Sequence, residues 1–520
     1  MLILIAPGLL FGSAVAILIL RVWIPRFRFG WLGAVAAAVL AWLSVWLWQG
    51  QLPLSVSVRF WRASGLSATP PAFSGDGIAW LYAISLVALA LASLLTAPAR
   101  VSFPNSSSWA ITLGLTGLAL LAVMASNAIT LVLIWAALDL LELTAMLRWT
   151  RGPRAIGRAI AVFSVRASGS LVLMLAQVVG SQPGSAIDFR SLSPQANPLL
   201  LIAAALHVGV LPFPLPYFSE NSLRRGTGTT MRLVSAVASL VVVSRMVQGS
   251  IVAPAAVLLL VLCGVAALYT AWMWLRAPDE IAGRSYWIIG LACLSIAAAL
   301  QGNPIGAASW GVALLLTGGI LFLSSVQHAW LSRVSLIGAW TLSALPFSLT
   351  ASGWRNETGV PNLALPLFIV AQALLLAGYV RRAARPSIHT RLESHPAWVR
   401  SIYPAGIWIL LVIQLLLGLW GWAGAAQLGA WIAGVAAALV TLGLLWVIPR
   451  VPALNPMPLQ HLPRFSALGL DRLYDAIGRV SRGVQAVAST ITRTLEGESG
   501  IMWSLVLLIL FISLIAGRVR

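Results

Sequence analysis

The sequence predicts an all-α polytopic membrane protein with about 14–16 transmembrane helices. Three observations predict it. Apolar stretches of about 18–22 residues recur along the chain, and a helix needs about 20 apolar residues to cross the hydrocarbon core. Only 9% of the 520 residues are charged, where soluble domains carry about 25%. Several stretches also contain Pro or Gly, and in lipid such breaks survive only where they pack in protein or line a polar cavity.

The spans fall near 2–20, 31–49, 77–97, 109–126, 128–147, 159–180, 198–214, 228–248, 252–274, 285–301, 305–326, 334–351, 361–380, 404–424, 428–448 and 501–517. Leu2–Leu20 lacks a positive n-region and is long enough to span, so it reads as a first helix and not as a cleaved signal. The connection Gly50–Asp76 is long and rich in Pro and Ser. Within it Ser55–Phe60 alternates, which fits a short hairpin strand on the outer face. Leu211–Tyr217 reads LPFPLPY, and no helix runs unbroken through Pro212, Pro214 and Pro216. Broken helices point to an ion or substrate path in transporters. In Leu470–Leu495 apolar residues recur at helical spacing, with Asp471, Arg472, Asp475, Arg479, Arg482 and Arg493 between them. That pattern predicts an amphipathic helix lying in the membrane plane. Glu496–Gly500 ends it, and one last span follows.

All 33 basic residues are Arg; there is no Lys, and 13 acids leave a net charge of +20. In a soluble chain such charge would suggest nucleic acid. In a membrane protein it follows the positive-inside rule, with about 25 Arg on one side of the alternating connections and about 7 on the other. The rich side carries Arg21, Arg26, Arg28, Arg148–Arg158, Arg224, Arg225, Arg232, Arg381, Arg382, Arg385, Arg391, Arg400 and the Arg450–Arg493 group. That side is expected to be cytoplasmic in the cell membrane, with the N-terminus outside. The expected partner surfaces are the lipid bilayer and other membrane subunits, with no nucleic acid. Cys263 and Cys293 lie in apolar runs and read as core or lipid-facing residues, not as a disulfide or ligands.

Ionisable residues inside spans are costly and mark function first. Asp139 and Glu142 stand three residues apart, on one face of a helix. Two acids there can hold a proton or pair with a cation; alternatively Glu142 pairs with Arg148 at the helix end. Arg166 faces an acid on a neighbouring span or snorkels to the interface. His207 precedes the proline break, either as a satisfied buried polar group or as a relay. No metal-ligand cluster, phosphate-binding Gly loop or nucleophile–base arrangement is evident in the sequence.

In order along the chain, several motifs resemble the antiporter-like subunits of respiratory complex I (NADH-quinone oxidoreductase chains L, M and N) and of related cation antiporters and membrane-bound hydrogenases. Asp76-Gly77-Ile78-Ala79 resembles that family's Asp-Gly-Leu-Ser. Asn127–Trp135 resembles the run leading to its Trp-Glu, and Arg166-Ala167-Ser168-Gly169 resembles an Asn-Arg-x-Gly-Asp stretch. His207–Pro216 resembles a Lys-x-x-x-x-Pro-x-His-x-Trp-Leu-Pro run, and Leu315–Leu323 and Leu342–Trp354 resemble two later runs. Leu470–Gly517 resembles a lateral helix followed by one span.

The resemblance implies two inverted five-helix repeats with broken helices. It divides the chain into N-terminal helices (1–126), an antiporter-like core (127–380), further helices (381–460), the in-plane segment (461–500) and a last span (501–520). It also implies a membrane-arm subunit that contributes to or scaffolds proton translocation. NADH, FMN, iron–sulfur clusters and quinone would sit in partner subunits, with no cofactor in this chain. The departures matter as much. The family's acid falls on Ala136, with Asp139 one turn later, and its lysines fall on His207, near Val237, on Gly318 and loosely on Arg355. A buried Lys can approach neutrality whereas Arg stays charged, so the usual Lys chemistry cannot run here. The candidates are then Asp139, Glu142 and His207, with Arg166 and Arg355 as fixed charges. Alternative expectations are a non-respiratory ion or inorganic-carbon transport module, or an inert spacer that has lost the pump residues.

Overall fold

In lipid each backbone polar group must be satisfied within the chain, so long apolar runs fold as helices. The computed structural model describes residues 2–24, 29–58, 70–100, 104–149, 153–180, 189, 192–211, 223, 225–246, 253–326, 328–357, 363–384, 391–419 and 431–451. All of them belong to the compact unit Met1–Met457. The helices are α1 (Ile5–Trp23), α2 (Gly30–Trp48), α3 (Gly77–Leu95), α4 (Ser106–Met124), α5 (Ala128–Trp149), α6 (Pro153–Gly180), α7 (Asn197–Val208) and α8 (Arg225–Val243). They continue as α9 (Ala253–Arg276), α10 (Glu280–Leu300), α11 (Pro304–Leu323), α12 (Ala329–Thr341), α13 (Leu365–Ala383), α14 (Ala397–Leu419) and α15 (Trp431–Val447). Among the described residues twelve helices are long and apolar enough to cross a membrane. The chain is a multi-pass membrane protein. The predicted in-plane helix Leu470–Leu495 and the span 501–517 lie outside the described residues.

Helix starts are closed by side chains. Asp76, Asn105, Asp279 and Asn303 accept hydrogen bonds from the amides of Ala79, Ser108, Ala282 and Gly306 at 2.7, 3.1, 2.6 and 2.7 Å. Helix ends are closed by arginine. The last carbonyls of a helix lack intrahelical partners and carry partial negative charge. Arg245 donates to the carbonyls of Val123 (2.5 Å) and Ala125 at the end of α4. Arg225 donates to those of Phe322 (3.4 Å) and Ser324 (2.5 Å) at the end of α11. Arg382 reaches those of Trp274 (2.5 Å) and Ala277 (2.9 Å) at the end of α9. Arg100, five residues past α3, folds back to Ser93 O (3.0 Å) in the last turn of that helix. Burial pulls the Arg100 guanidinium down to about 10, still well above neutral, so it stays charged.

Helices α4–α8 and α9–α13 repeat one packing scheme. The first helix packs on the second and fifth, the second on the third, the third on the fourth, and the fourth on the fifth. The two copies are inverted. The start of α8 meets the end of α11 and, through Arg225–Glu280 (2.6 Å), the start of α10, which follows the end of α9. The end of α8 meets the end of α4 through Arg245. So α4 and α9 end on opposite faces.

The fourth helix of each repeat is cut short, and here the structure corrects two predicted spans. In the described part of the run 198–214, up to Leu211, the helix ends at Val208. Gly209 closes α7 in the left-handed conformation (φ +94°), which glycine adopts without a Cβ penalty. Pro212, Pro214 and Pro216 lie outside the described residues. The run 334–351 is helical only to Thr341, and Leu342–Trp354 continues as turns. Pro346 disfavours helix at the residue before it. Ala344 and Phe347 take positive φ (55° and 62°), at a cost of about 1–2 kcal/mol each. Hydropathy cannot separate such a buried turn from a helix. Glycines let the neighbours close on it: a Cβ on Gly418 of α14 would lie 2.6 Å from the Phe347 carbonyl, and one on Gly434 of α15 would lie 2.5 Å from that of Ala344.

The predicted strand appears as β1 (Leu54–Ser57), paired antiparallel with β2 (Ala72–Gly75). Ser126 N donates to Ala72 O (3.0 Å), which fastens this hairpin over the α4–α5 turn. Cys263 and Cys293 are both buried and free, with Cys263 Sγ donating to Cys293 O at 3.2 Å.

Candidate functional site

On α5 the residues Leu133, Leu140 and Leu147 face outward, while Trp135, Leu138, Asp139 and Glu142 are buried. Helical spacing puts the two acids on the inner face with Trp135 one turn before Asp139. On α6, Leu171, Leu175 and Val178 face outward and Arg166 is buried. Gly169 brings α6 against α7: a Cβ there would lie 2.9 Å from the Ala203 carbonyl and 3.2 Å from the His207 amide. On α8, Arg232, Ser235 and Ser239 share one face at i, i+3 and i+7.

These faces converge at the end of α7. Arg166 Nε lies 3.3 Å from Asp139 Oδ1, and Arg166 Nη1 donates to Glu142 Oε2. Arg166 Nε also lies 3.3 Å from the carbonyl of His207, so it closes the end of α7. His207 Nε2 is 3.1 Å from Asp139 Oδ2. Glu142 Oε2 accepts from Ser235 Oγ (2.6 Å), and Oε1 pairs with Arg232 Nη1 (3.2 Å). Trp135 stacks on the His207 ring at 4.0 Å between centroids and 19° between planes. Its Nε1–H donates to Ala238 O (3.0 Å) on α8, which sets the plane of the stack. Asp139, Glu142 and His207 are 3%, 1% and 1% exposed, so the carboxylates depend on their partners and not on solvent. Two guanidiniums balance two carboxylates.

His207 is the variable member. Ser239 Oγ lies 2.6 Å from His207 Nδ1 and 2.8 Å from Ser235 O, and it has one hydrogen to give. With that hydrogen on Nδ1, a neutral ring donates from Nε2 to Asp139. With it on Ser235 O, Nδ1 must carry its own proton, and the imidazolium donates both ways. The ring thus holds one proton or two without a heavy atom moving. A cavity of about 70 Å³ adjoins the cluster, lined by Glu142, Arg166, His207, Arg232, Ser235 and Ser285 among others. That is room for several waters, since one needs about 10–15 Å³ on this measure. Among the described residues no three His, Cys, Asp or Glu side chains form a group that could hold a metal ion.

The structure therefore brings together Asp139, Glu142, Arg166 and His207. Glu142 pairs with Arg166 and Arg232, the alternative partner Arg148 being six residues along and on another face. Arg355 is apart from them. It follows the α12 break, half-exposed, and its Nε pairs with Glu357 at 3.3 Å. Trp135, Arg232, Ser235 and Ser239 were not singled out from the sequence. The signal was present: three polar residues at helical spacing in an otherwise apolar stretch of α8.

No protein-family model matches the chain, and no curated protein matches it. Solved structures do. The chain is similar to one in the Mrp complex of a Dietzia species, at TM-score 0.74 and 16% identity, over 100% of this chain and 63% of that one. This chain thus spans less than two thirds of that subunit. It is also similar to a chain of the membrane-bound sulfane sulfur reductase, an archaeal respiratory membrane complex, at TM-score 0.62 and 14% identity, over 98% and 99% of the two chains. A third likeness is to a chain of respiratory complex I from Thermus thermophilus, at TM-score 0.59 and 18% identity, over 82% and 100%. The fold is the one expected from the motifs. It is shared by membrane chains of multi-subunit complexes.

Proposed function

We propose that this chain is an ion-translocating membrane-arm subunit of a complex-I-like quinone oxidoreductase, and that it loads protons at the Asp139–His207 cluster. The observation that carries the reading is the charge-balanced, buried cluster at the end of α7 beside a cavity with room for several waters. Arg166 and Arg232 pair with the two acids, which leaves His207 as the group that takes up and releases the proton. NADH, FMN, iron–sulfur and quinone chemistry is assigned to partner subunits. Likeness over the whole chain to a subunit of the Mrp complex favours, as a second reading, an ion-transport module outside respiration. Chains that co-purify in mild detergent separate the two.

In the intact complex reconstituted into vesicles, Asp139→Asn and His207→Ala should each lower proton translocation on the order of a hundredfold, the low end of what a positioned acid–base group contributes. Assembly should persist. Variants that translocate like the parent would leave the chain a spacer.

The Arg-rich face is assigned to the cytoplasm and the N-terminus to the outside. Asn105→Cys, at an exposed position, and Ser387→Cys should react with a membrane-impermeant thiol reagent only from the inside. Both native cysteines are buried, so background is low. Labelling of either from outside overturns the orientation.

A further inference from the structure

The two repeats treat the cut end of their fourth helix in opposite ways. In the first, charged side chains converge on it. In the second, Gln372 Nε2 of α13 donates to Leu342 O (2.8 Å), just beyond α12, and Gln372 Oε1 accepts from Trp354 Nε1 (2.8 Å). Thr341 Oγ1 donates to Gln414 Oε1 of α14 (2.7 Å), and Thr350 Oγ1 donates to Thr341 O (2.6 Å). Gln372 and Gln414 are each 1% exposed. Between Glu280 and Glu393 the only carboxylate is Glu357, and it sits beyond the break, paired with Arg355.

A proton crosses a hydrogen-bonded path only if each group can give up one proton and accept another. An indole N–H only donates, a side-chain amide N–H only donates, and a carbonyl only accepts. The Trp354–Gln372–Leu342 path therefore has a fixed direction, with a donor at one end and a backbone acceptor at the other. Two further groups of this half end on backbone: Tyr379 OH donates to Ser335 O (2.8 Å), and Cys263 to Cys293 O.

We propose that the second repeat is a proton-tight seal, locked by Trp354, Gln372, Thr341 and Gln414 at the α12 break, so that the Asp139–His207 cluster exchanges its proton only through the first repeat. This rests on the proton-loading reading above, and the test separates the two.

The intact complex is reconstituted into vesicles, and driven translocation is measured beside passive collapse of an imposed pH gradient. The parent should hold the gradient as protein-free vesicles do. Trp354→Phe and Gln372→Leu should keep parental translocation, and Gln372→Glu, which restores a group able to take up and release protons, should speed passive collapse several-fold. Normal assembly of Trp354→Phe with translocation as low as in Asp139→Asn would overturn the seal, as would a leaky parent. If Gln372→Leu does not assemble, the milder Trp354→Phe and the parental leak still decide. If Asp139→Asn translocates normally, the loading reading fails instead.

Discussion

Arg166→Leu should be the most damaging single change in the membrane interior. It strips the shared cation from two buried carboxylates and the donor from the His207 carbonyl. Removing one partner of a buried pair costs about 3–5 kcal/mol, because a charge is left uncompensated. The expected result is a much lower melting midpoint of the detergent-solubilised complex, or loss of the subunit from it. Arg166→Leu combined with Asp139→Asn and Glu142→Gln should recover much of that stability, since no unpaired charge remains. A triple variant no more stable than the single one would show that Arg166 acts chiefly through packing.

Gly169→Leu should be the next most damaging. Its side chain must push against the backbone of α7, where a carbonyl would stand 2.9 Å from the new Cβ. Backbone cannot swing aside as a flexible side chain does, and overpacking costs about 1–3 kcal/mol. The displacement also pulls Arg166 away from the end of α7, so translocation should fall further than melting alone explains. Gly169→Ala should sit between parent and Leu in both measurements. Parental translocation by an assembled Gly169→Leu complex would show that the α6–α7 distance does not govern the cluster.

The spans were legible because hydropathy over about 20 residues reports the solvent directly. Asp139 and Glu142 on one face were legible too, because helix periodicity is local. Their partners were legible only in part: Arg166 read as facing an acid on a neighbouring span or snorkelling, and the pairing with His207 and Arg232 was not legible. That Arg166 and His207 meet them depends on which faces of α6 and α7 turn toward α5, which one sequence does not encode locally. Arg232 was counted among loop charges, although its spacing to Ser235 and Ser239 places it on a helix face. The α12 break was hidden for another reason. The run 334–351 is apolar enough to read as a span, and only Gln372, which donates to Leu342 O, reveals that a carbonyl there needs an outside donor.

The arginines that close helix ends have a history as well as a place. As the chain enters the membrane, positive charge beside each span decides which way that span turns. On the proposed orientation Arg100, Arg225 and Arg382 flank spans on the positive side, and in the folded bundle they are bound to carbonyls. A lysine would serve the insertion step equally well. It lacks the rigid fork with which one guanidinium bridges several acceptors. Biogenesis and tertiary structure thus draw on the same side chains, and losing one of them disturbs two events separated in time. An Arg→Lys exchange at these sites should insert normally and mature poorly.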